Sequence, residues 1–144
     1  MAKMKQEFDE FTRAYVECAL WSSTADGSPE QRKEDPGNEG RFDRSFQDCG
    51  YDKLGAKLRA EIVRDCKAFQ RDNADMLAAW YSECGETEER AGHDFWLTRN
   101  RHGAGFWDRW NGGTPQGKIG QELSERAKVY GEVNLYWHRG RIVA

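Results

Sequence analysis

Apolar side chains recur at three- and four-residue steps through residues 4–21. Met4, Phe8, Phe11, Tyr15 and Cys18 line one side, while Lys5, Glu7, Asp9, Glu10, Arg13 and Glu17 fill the other. The spacing predicts an amphipathic helix, closed by Ser22-Ser23-Thr24 and Gly27-Ser28-Pro29. A second helix is predicted over 53–71 from the stripe Leu54, Leu58, Ile62, Cys66 and Phe69. A third, short helix runs through Met76, Leu77 and Trp80, with Asp72 or Asn73 as its cap and Gly85 as its stop. The intervening stretch 26–50, with Gly27, Pro29, Pro36, Gly37, Gly40 and Gly50, reads as a long polar loop.

After the charged run Glu86–Arg90 the period changes to two. Residues 93–99 and 104–110 are rich in strand-favouring aromatics and are joined by Asn100-Arg101-His102-Gly103, which predicts a β-hairpin. Alternation places His93, Phe95, Leu97 and Arg99 on one face of its first strand and Asp94, Trp96, Thr98 and Asn100 on the other. A further helix is expected at about 117–130 from Ile119, Leu123, Ala127 and Tyr130, with Gly131 ending it. A second hairpin is expected from Val133–Trp137 and Arg141–Ala144, turning at His138–Gly140. The order ααα-ββ-α-ββ predicts an α+β fold in which N-terminal helices pack on a small antiparallel sheet made of the two hairpins. At 144 residues without an internal repeat, the chain is expected to form a single domain over 1–144.

Composition narrows the classes of function. No apolar run approaches the roughly 20 residues of a membrane span, and MAKMKQEFDEF lacks the apolar block of a secretory signal. We therefore expect a cytosolic protein without membrane contact. Cys18, Cys49, Cys66 and Cys84 form no CxxC pair, so no zinc site is expected and reduced thiols are the reading. The net charge of −3 is uneven: residues 1–89 carry 13 basic and 20 acidic side chains, residues 90–144 carry 9 and 5. The acidic total argues against non-specific binding of duplex DNA. The basic half suits an anionic group, or else the two halves attract each other within the fold.

Candidate chemistry concentrates in Ala91–Trp110, which holds two histidines, three arginines, two aspartates, five large aromatics and three glycines. Aromatic faces beside guanidinium forks make platforms for planar or anionic groups and for protein partners. The expected binding surface is Trp96, Arg99, Arg101, His102, Trp107 and Arg109. Catalysis has less to stand on. His93 and Asp94 point to opposite faces of a strand, no nucleophile elbow or paired-carboxylate motif is present, and His102-Gly103-Ala104-Gly105 lacks the helix and lysine of a phosphate loop. The enzymatic alternative acts on a phosphate-containing substrate, with His102 as acid or base and Arg99 or Arg109 as anion clamp. Asp94 and Asp108, each within reach of several arginines, are equally readable as members of buried ion pairs.

AYVECALWSST (14–24), HDFWLTRN (93–100), HGAGFWD (102–108) and GQELSERAKVYGEVNLYW (120–137) together resemble a family of small, uncharacterised bacteriophage and prophage proteins. The resemblance covers the first helix and most of 53–144, and is weakest over 26–50. It implies a phage source, and no activity, cofactor or metal. Relatives carry glycine where this chain has Arg101, which leaves a left-handed turn there open to question. The resulting expectation is a phage accessory protein that binds a host factor or a nucleotide-like ligand in the host cytoplasm, for example as an anti-CRISPR or antirestriction protein. A structural or assembly role is the remaining alternative.

Overall fold

A computed structural model describes residues 8–23 and 51–144. Among these residues the chain forms five α-helices: α1 (Glu10–Ser22), α2 (Ala56–Asp72), α3 (Ala74–Glu83), α4 (Glu88–Arg99) and α5 (Pro115–Lys128). Single 3-10 turns at Tyr51–Lys53 and Phe106–Asp108 and two three-residue strands, β1 (Tyr136–His138) and β2 (Arg141–Val143), complete it. The loop expected over 26–50 and the start of the first predicted helix lie outside the described residues.

The α+β expectation is overturned at residues 93–110, where α4 and a loop with a 3-10 turn stand in place of a hairpin. The physical reason lies on both sides of the helix. At its start Thr87 caps the chain, its hydroxyl accepting from the Arg90 N–H at 3.1 Å, and Glu88 and Glu89 sit in the first turn, where acidic groups favour a helix N-terminus. Along its length Ala91, Gly92, Asp94, Phe95, Trp96, Leu97, Thr98 and Arg99 are all buried. A helix enclosed on nearly every side shows no single apolar stripe, and strand propensity of aromatics is weak beside tertiary packing.

α1 is the element against which the rest packs. Asp9 caps it, accepting from the Thr12 N–H at 2.7 Å. Phe11, Tyr15, Val16, Cys18 and Leu20 are buried, so burial extends well beyond the single predicted stripe. Its main partner is α4, which presents Gly92, Phe95, Trp96 and Arg99 at i, i+3, i+4 and i+7. A Cβ at Gly92 would fall 2.0 Å from the Phe11 carbonyl oxygen, so this crossing exists only with glycine there. Above it the rings of Phe11, Tyr15, Phe69, Phe95 and Phe106 form one cluster, with Phe69 and Phe95 stacked at 4.3 Å between centroids.

α2 follows its predicted stripe, burying Leu58, Ile62, Cys66 and Phe69. Asn73 separates α2 from α3 without capping by its side chain; its amide instead donates to the Phe69 carbonyl at 2.8 Å and accepts from Arg126 at 3.0 Å. Thr114 caps α5, its hydroxyl accepting from the Gly117 N–H at 3.0 Å, with Pro115 in the first turn. β1 and β2 pair antiparallel across Arg139 and Gly140, both at positive φ (51° and 77°) as a two-residue primed turn needs. Buried Ile142 ties this hairpin to the start of α2, its carbonyl accepting from the Gly55 N–H at 2.8 Å. Cys18, Cys66 and Cys84 are buried free thiols. No helix among the described residues is long and apolar enough to cross a membrane.

Gly92→Ala tests the α1–α4 crossing. Forcing a methyl against a backbone carbonyl should destabilise the fold by about 2–3 kcal/mol. Denaturant unfolding followed by tryptophan fluorescence reads this, and an unchanged midpoint contradicts the geometry.

Candidate functional site

The segment after α4 is fixed by side chains of α4 itself. The helix closes with Asn100 as cap and Arg101 in the left-handed conformation at φ 56°. The His102 N–H donates to the Leu97 carbonyl and the Arg101 N–H to that of Thr98, both at 3.0 Å, which is the Schellman pattern. The geometry that glycine would favour is thus retained with arginine. The Asn100 amide accepts from the Val133 N–H at 2.7 Å, fastening the later chain to this corner. Asp94 and Thr98, one turn apart, both hold the loop: Thr98 Oγ1 accepts from the Phe106 N–H at 3.1 Å, and Asp94 receives Arg109 through two bonds of 3.0 and 2.6 Å. Phe106 is thereby driven into the core and Trp107 turned outward.

The six expected site residues divide into two groups. Arg99 is only 4% exposed. Its guanidinium donates to Asp65 and Tyr15 and to the carbonyls of Tyr130 and Gly131 at 2.8–3.1 Å, and it lies 5.5 and 5.6 Å from the ring centroids of Phe95 and Tyr130. Trp96 is buried, its indole N–H donating to Ser22 Oγ at 2.7 Å. Arg109 is partly covered and committed to Asp94, whose side chain is fully buried. These three stabilise the fold. The remaining three face outward: Trp107 is 43% exposed, Arg101 lies 3.8 Å from Glu132, and His102 is exposed. Of the two carboxylates flagged by sequence, Asp94 is a buried ion-pair member, whereas Asp108 accepts from the Gly105 N–H at 2.9 Å.

A concavity lies elsewhere among the described residues, along α1 and α4. It is an open groove of about 570 Å³, within the range of ligand-binding clefts. α1 contributes Ala14, Glu17, Cys18 and Trp21, and α4 contributes Glu89, Arg90 and His93. On each helix these positions fall at helical spacing. Buried Ala14 and Cys18 form its floor, because small side chains there leave room between the helices; Glu17, Glu89, Arg90 and Trp21 stand exposed around it. Arg109 reaches it from the loop, and a shallower depression continues past Trp21, Leu97, His102 and Ala104. Of the sequence-predicted residues, the groove and its continuation thus gather His102 and Arg109; Arg101 and Trp107 line neither.

Glu17, Trp21, Glu89, Arg90 and His93 were not anticipated as site residues. Trp21 carried a usable signal: it follows the apolar stripe of α1 at its polar end, where a large ring has no assigned burial. The others became neighbours only once 88–99 proved helical.

The electrostatics of the groove oppose nucleophilic chemistry. Burial pushes the Cys18 thiol up to about 12, leaving it protonated at neutral pH. Burial also holds His93 below the ordinary imidazole value. His93 and Asp94 do not point to opposite sides, as a strand would require, yet their 4.0 Å separation is too long for a hydrogen bond, and both Asp94 oxygens already serve Arg109. Of the arginines in the phosphate-clamp alternative, Arg99 is buried against internal acceptors and Arg109 is paired with Asp94. Among the described residues no cluster of three or more His, Cys, Asp or Glu is placed to hold a metal ion. No protein-family model, curated protein or solved structure matches the chain.

Two substitutions check this division. Asp94→Ala should cost about 3–4 kcal/mol, the lower part of the range for breaking a buried pair because Arg109 keeps some contact with water; a denaturation midpoint near wild type contradicts a structural role. Arg101→Gly should stabilise by roughly 0.5–1 kcal/mol, by removing a side chain from left-handed backbone against a loss of chain entropy. A lowered melting temperature would show that the arginine contributes a contact worth more than its strain.

Proposed function

We propose that this chain is a small phage accessory protein that acts by binding a protein of its host, in the host cytoplasm, with an anti-defence role such as anti-CRISPR or antirestriction. The phage source rests on the resemblance of HDFWLTRN and HGAGFWD. The binding role rests on one structural observation: Trp21, Trp107 and Trp110 stay 62%, 43% and 36% exposed, while Trp80, Trp96 and every described phenylalanine are buried. Large exposed rings are costly in water and are the residues that most often dominate protein interfaces. The open groove beside Trp21 adds concave surface to them.

A protein partner is favoured over a nucleotide. Arg99 is buried against internal acceptors and the charge of Arg109 is paired with buried Asp94, so neither offers an uncompensated cation to a phosphate.

Trp107→Ala and Trp110→Ala, singly and together, should leave unfolding within about 0.5 kcal/mol of wild type, as exposed positions do, while abolishing recovery of a host protein captured by the tagged wild-type chain. Retention of the same captured protein by the double variant would remove the basis for this reading.

A further inference from the structure

We infer that Asn111–Gly112 is a self-modifying site: the Gly112 backbone nitrogen attacks the Asn111 side-chain amide, and the asparagine becomes aspartate or isoaspartate without an enzyme. The site is independent of the binding reading above. It lies in the loop between the Phe106–Asp108 turn and α5.

The reaction needs an attacking N–H that nothing holds, a carbonyl carbon within its reach, and an amide group able to leave. Asn73 and Asn100 fail the last of these. Asn73 is buried, its amide nitrogen donating to the Phe69 carbonyl at 2.8 Å and its oxygen accepting from Arg126 at 3.0 Å. Asn100 donates to the Trp96 carbonyl at 2.9 Å and accepts from the Val133 N–H at 2.7 Å. The nitrogen that would attack it, that of Arg101, is itself bonded to the Thr98 carbonyl.

Asn111 differs on each count. It is exposed, and so are Gly112 and Gly113. Gly112 presents no Cβ to hinder the approach, and its N–H makes no hydrogen bond among the described residues. The Asn111 Oδ1 accepts from the Gly113 N–H at 3.0 Å. This bond closes a ring that contains both the Asn111 Cγ and the Gly112 nitrogen, so the side chain curls over the peptide that attacks it. It also supplies a donor to the oxygen on which negative charge develops as the nitrogen adds. The Asn111 amide nitrogen has no acceptor among the described residues to hold it back.

Hydroxide carries the Gly112 proton to the departing NH2 group. The bond from the Gly112 nitrogen to Cγ forms, the bond from Cγ to the amide nitrogen breaks, and ammonia leaves behind a five-membered succinimide. Water then opens the ring. Cleavage between nitrogen and Cγ gives aspartate. Cleavage between nitrogen and the main-chain carbonyl carbon gives isoaspartate, with one extra methylene in the backbone.

The fold treats the two products differently. The Asn111 carbonyl accepts from the Thr114 N–H and hydroxyl at 3.0 and 2.6 Å, and so positions the residue that caps α5. A Cβ at Gly117 would collide with this carbonyl oxygen, so α5 leaves it no clearance. Aspartate keeps these contacts and sets its charge before the N-terminus of α5, where a negative group is favoured. Isoaspartate reroutes the main chain through Cγ, detaches this carbonyl from it and loosens the cap.

The test holds the purified full chain at neutral and at mildly alkaline pH, digests it with trypsin, and follows the Trp110–Lys118 peptide by mass spectrometry with fragmentation. Asn111 should convert, faster at the higher pH, while Asn73 and Asn100 stay intact. Gly112→Ala should slow the conversion at least about tenfold, as a barrier raised by about 1.4 kcal/mol does. Its Cβ meets only the movable amide end of Gln121, so its melting temperature should match wild type. Asn111→Asp should also melt with wild type, and the chromatographically separated isoaspartate form below it. Asn111 that stays intact in the folded chain, or that converts equally fast in Gly112→Ala, overturns the inference. Equal melting of the isoaspartate form and Asn111→Asp overturns the distinction between the products.

Discussion

The arrangement of this domain depends on burying one positive charge. Arg99, at the last turn of α4, is enclosed by α1, α2 and the chain after α5, and each of those three supplies something to it: the Tyr15 hydroxyl, the Asp65 carboxylate and the carbonyls of Tyr130 and Gly131. An arginine this deep is tolerable only if its donors are satisfied, because an unpaired buried charge is among the most expensive features a fold can carry. Four bonds and two ring faces meet that requirement. They also fix the relative positions of the segments that provide them, since displacing any one strands the guanidinium. Burial drives the Tyr15 hydroxyl above the ordinary phenol value, against the lowering effect of the Arg99 charge, so it remains a neutral group in the network.

From that anchor, α4 serves three directions at once. The side formed by Gly92, Phe95, Trp96 and Arg99 meets α1 and the aromatic cluster. Asp94 and Thr98 hold the following loop, which places Phe106 in the core and Trp107 at the surface. Glu89, Arg90 and His93 face the groove. The close approach at Gly92 and the small side chains of Ala14 and Cys18 belong to the same crossing: the first brings the helices together, and the others leave the space between them open. The candidate site is thus a by-product of how tightly the central pair packs.

The charge asymmetry along the chain takes on a different meaning in this setting. Arg99 is neutralised across the two halves by Asp65, and Arg109 within its own half by Asp94. The charges of these two arginines, which looked available to a ligand, are compensated within the fold. A count of charges by sequence position reports totals; it says nothing of which are cancelled by a neighbour in space.

Periodicity alone established α2 and α5, whose stripes Leu58-Ile62-Cys66-Phe69 and Leu123-Ala127 each face the core from one side, and it located α1 through Phe11, Tyr15 and Cys18. It also marked 91–110 as the segment where polar and aromatic groups would have to be paired. It misread that segment as strands because the inward stripe of α4 is Gly92, Phe95, Trp96 and Arg99, in which two of four members are not apolar. Only the tertiary structure decided that a glycine meets a carbonyl there, that an arginine is sheltered by a carboxylate 34 positions earlier, and that Glu17 and Glu89 share a groove. A hydrophobic pattern encodes which side chains avoid water by their own nature; a buried cation and a missing side chain are placed by what surrounds them, and that is a property of the folded neighbourhood.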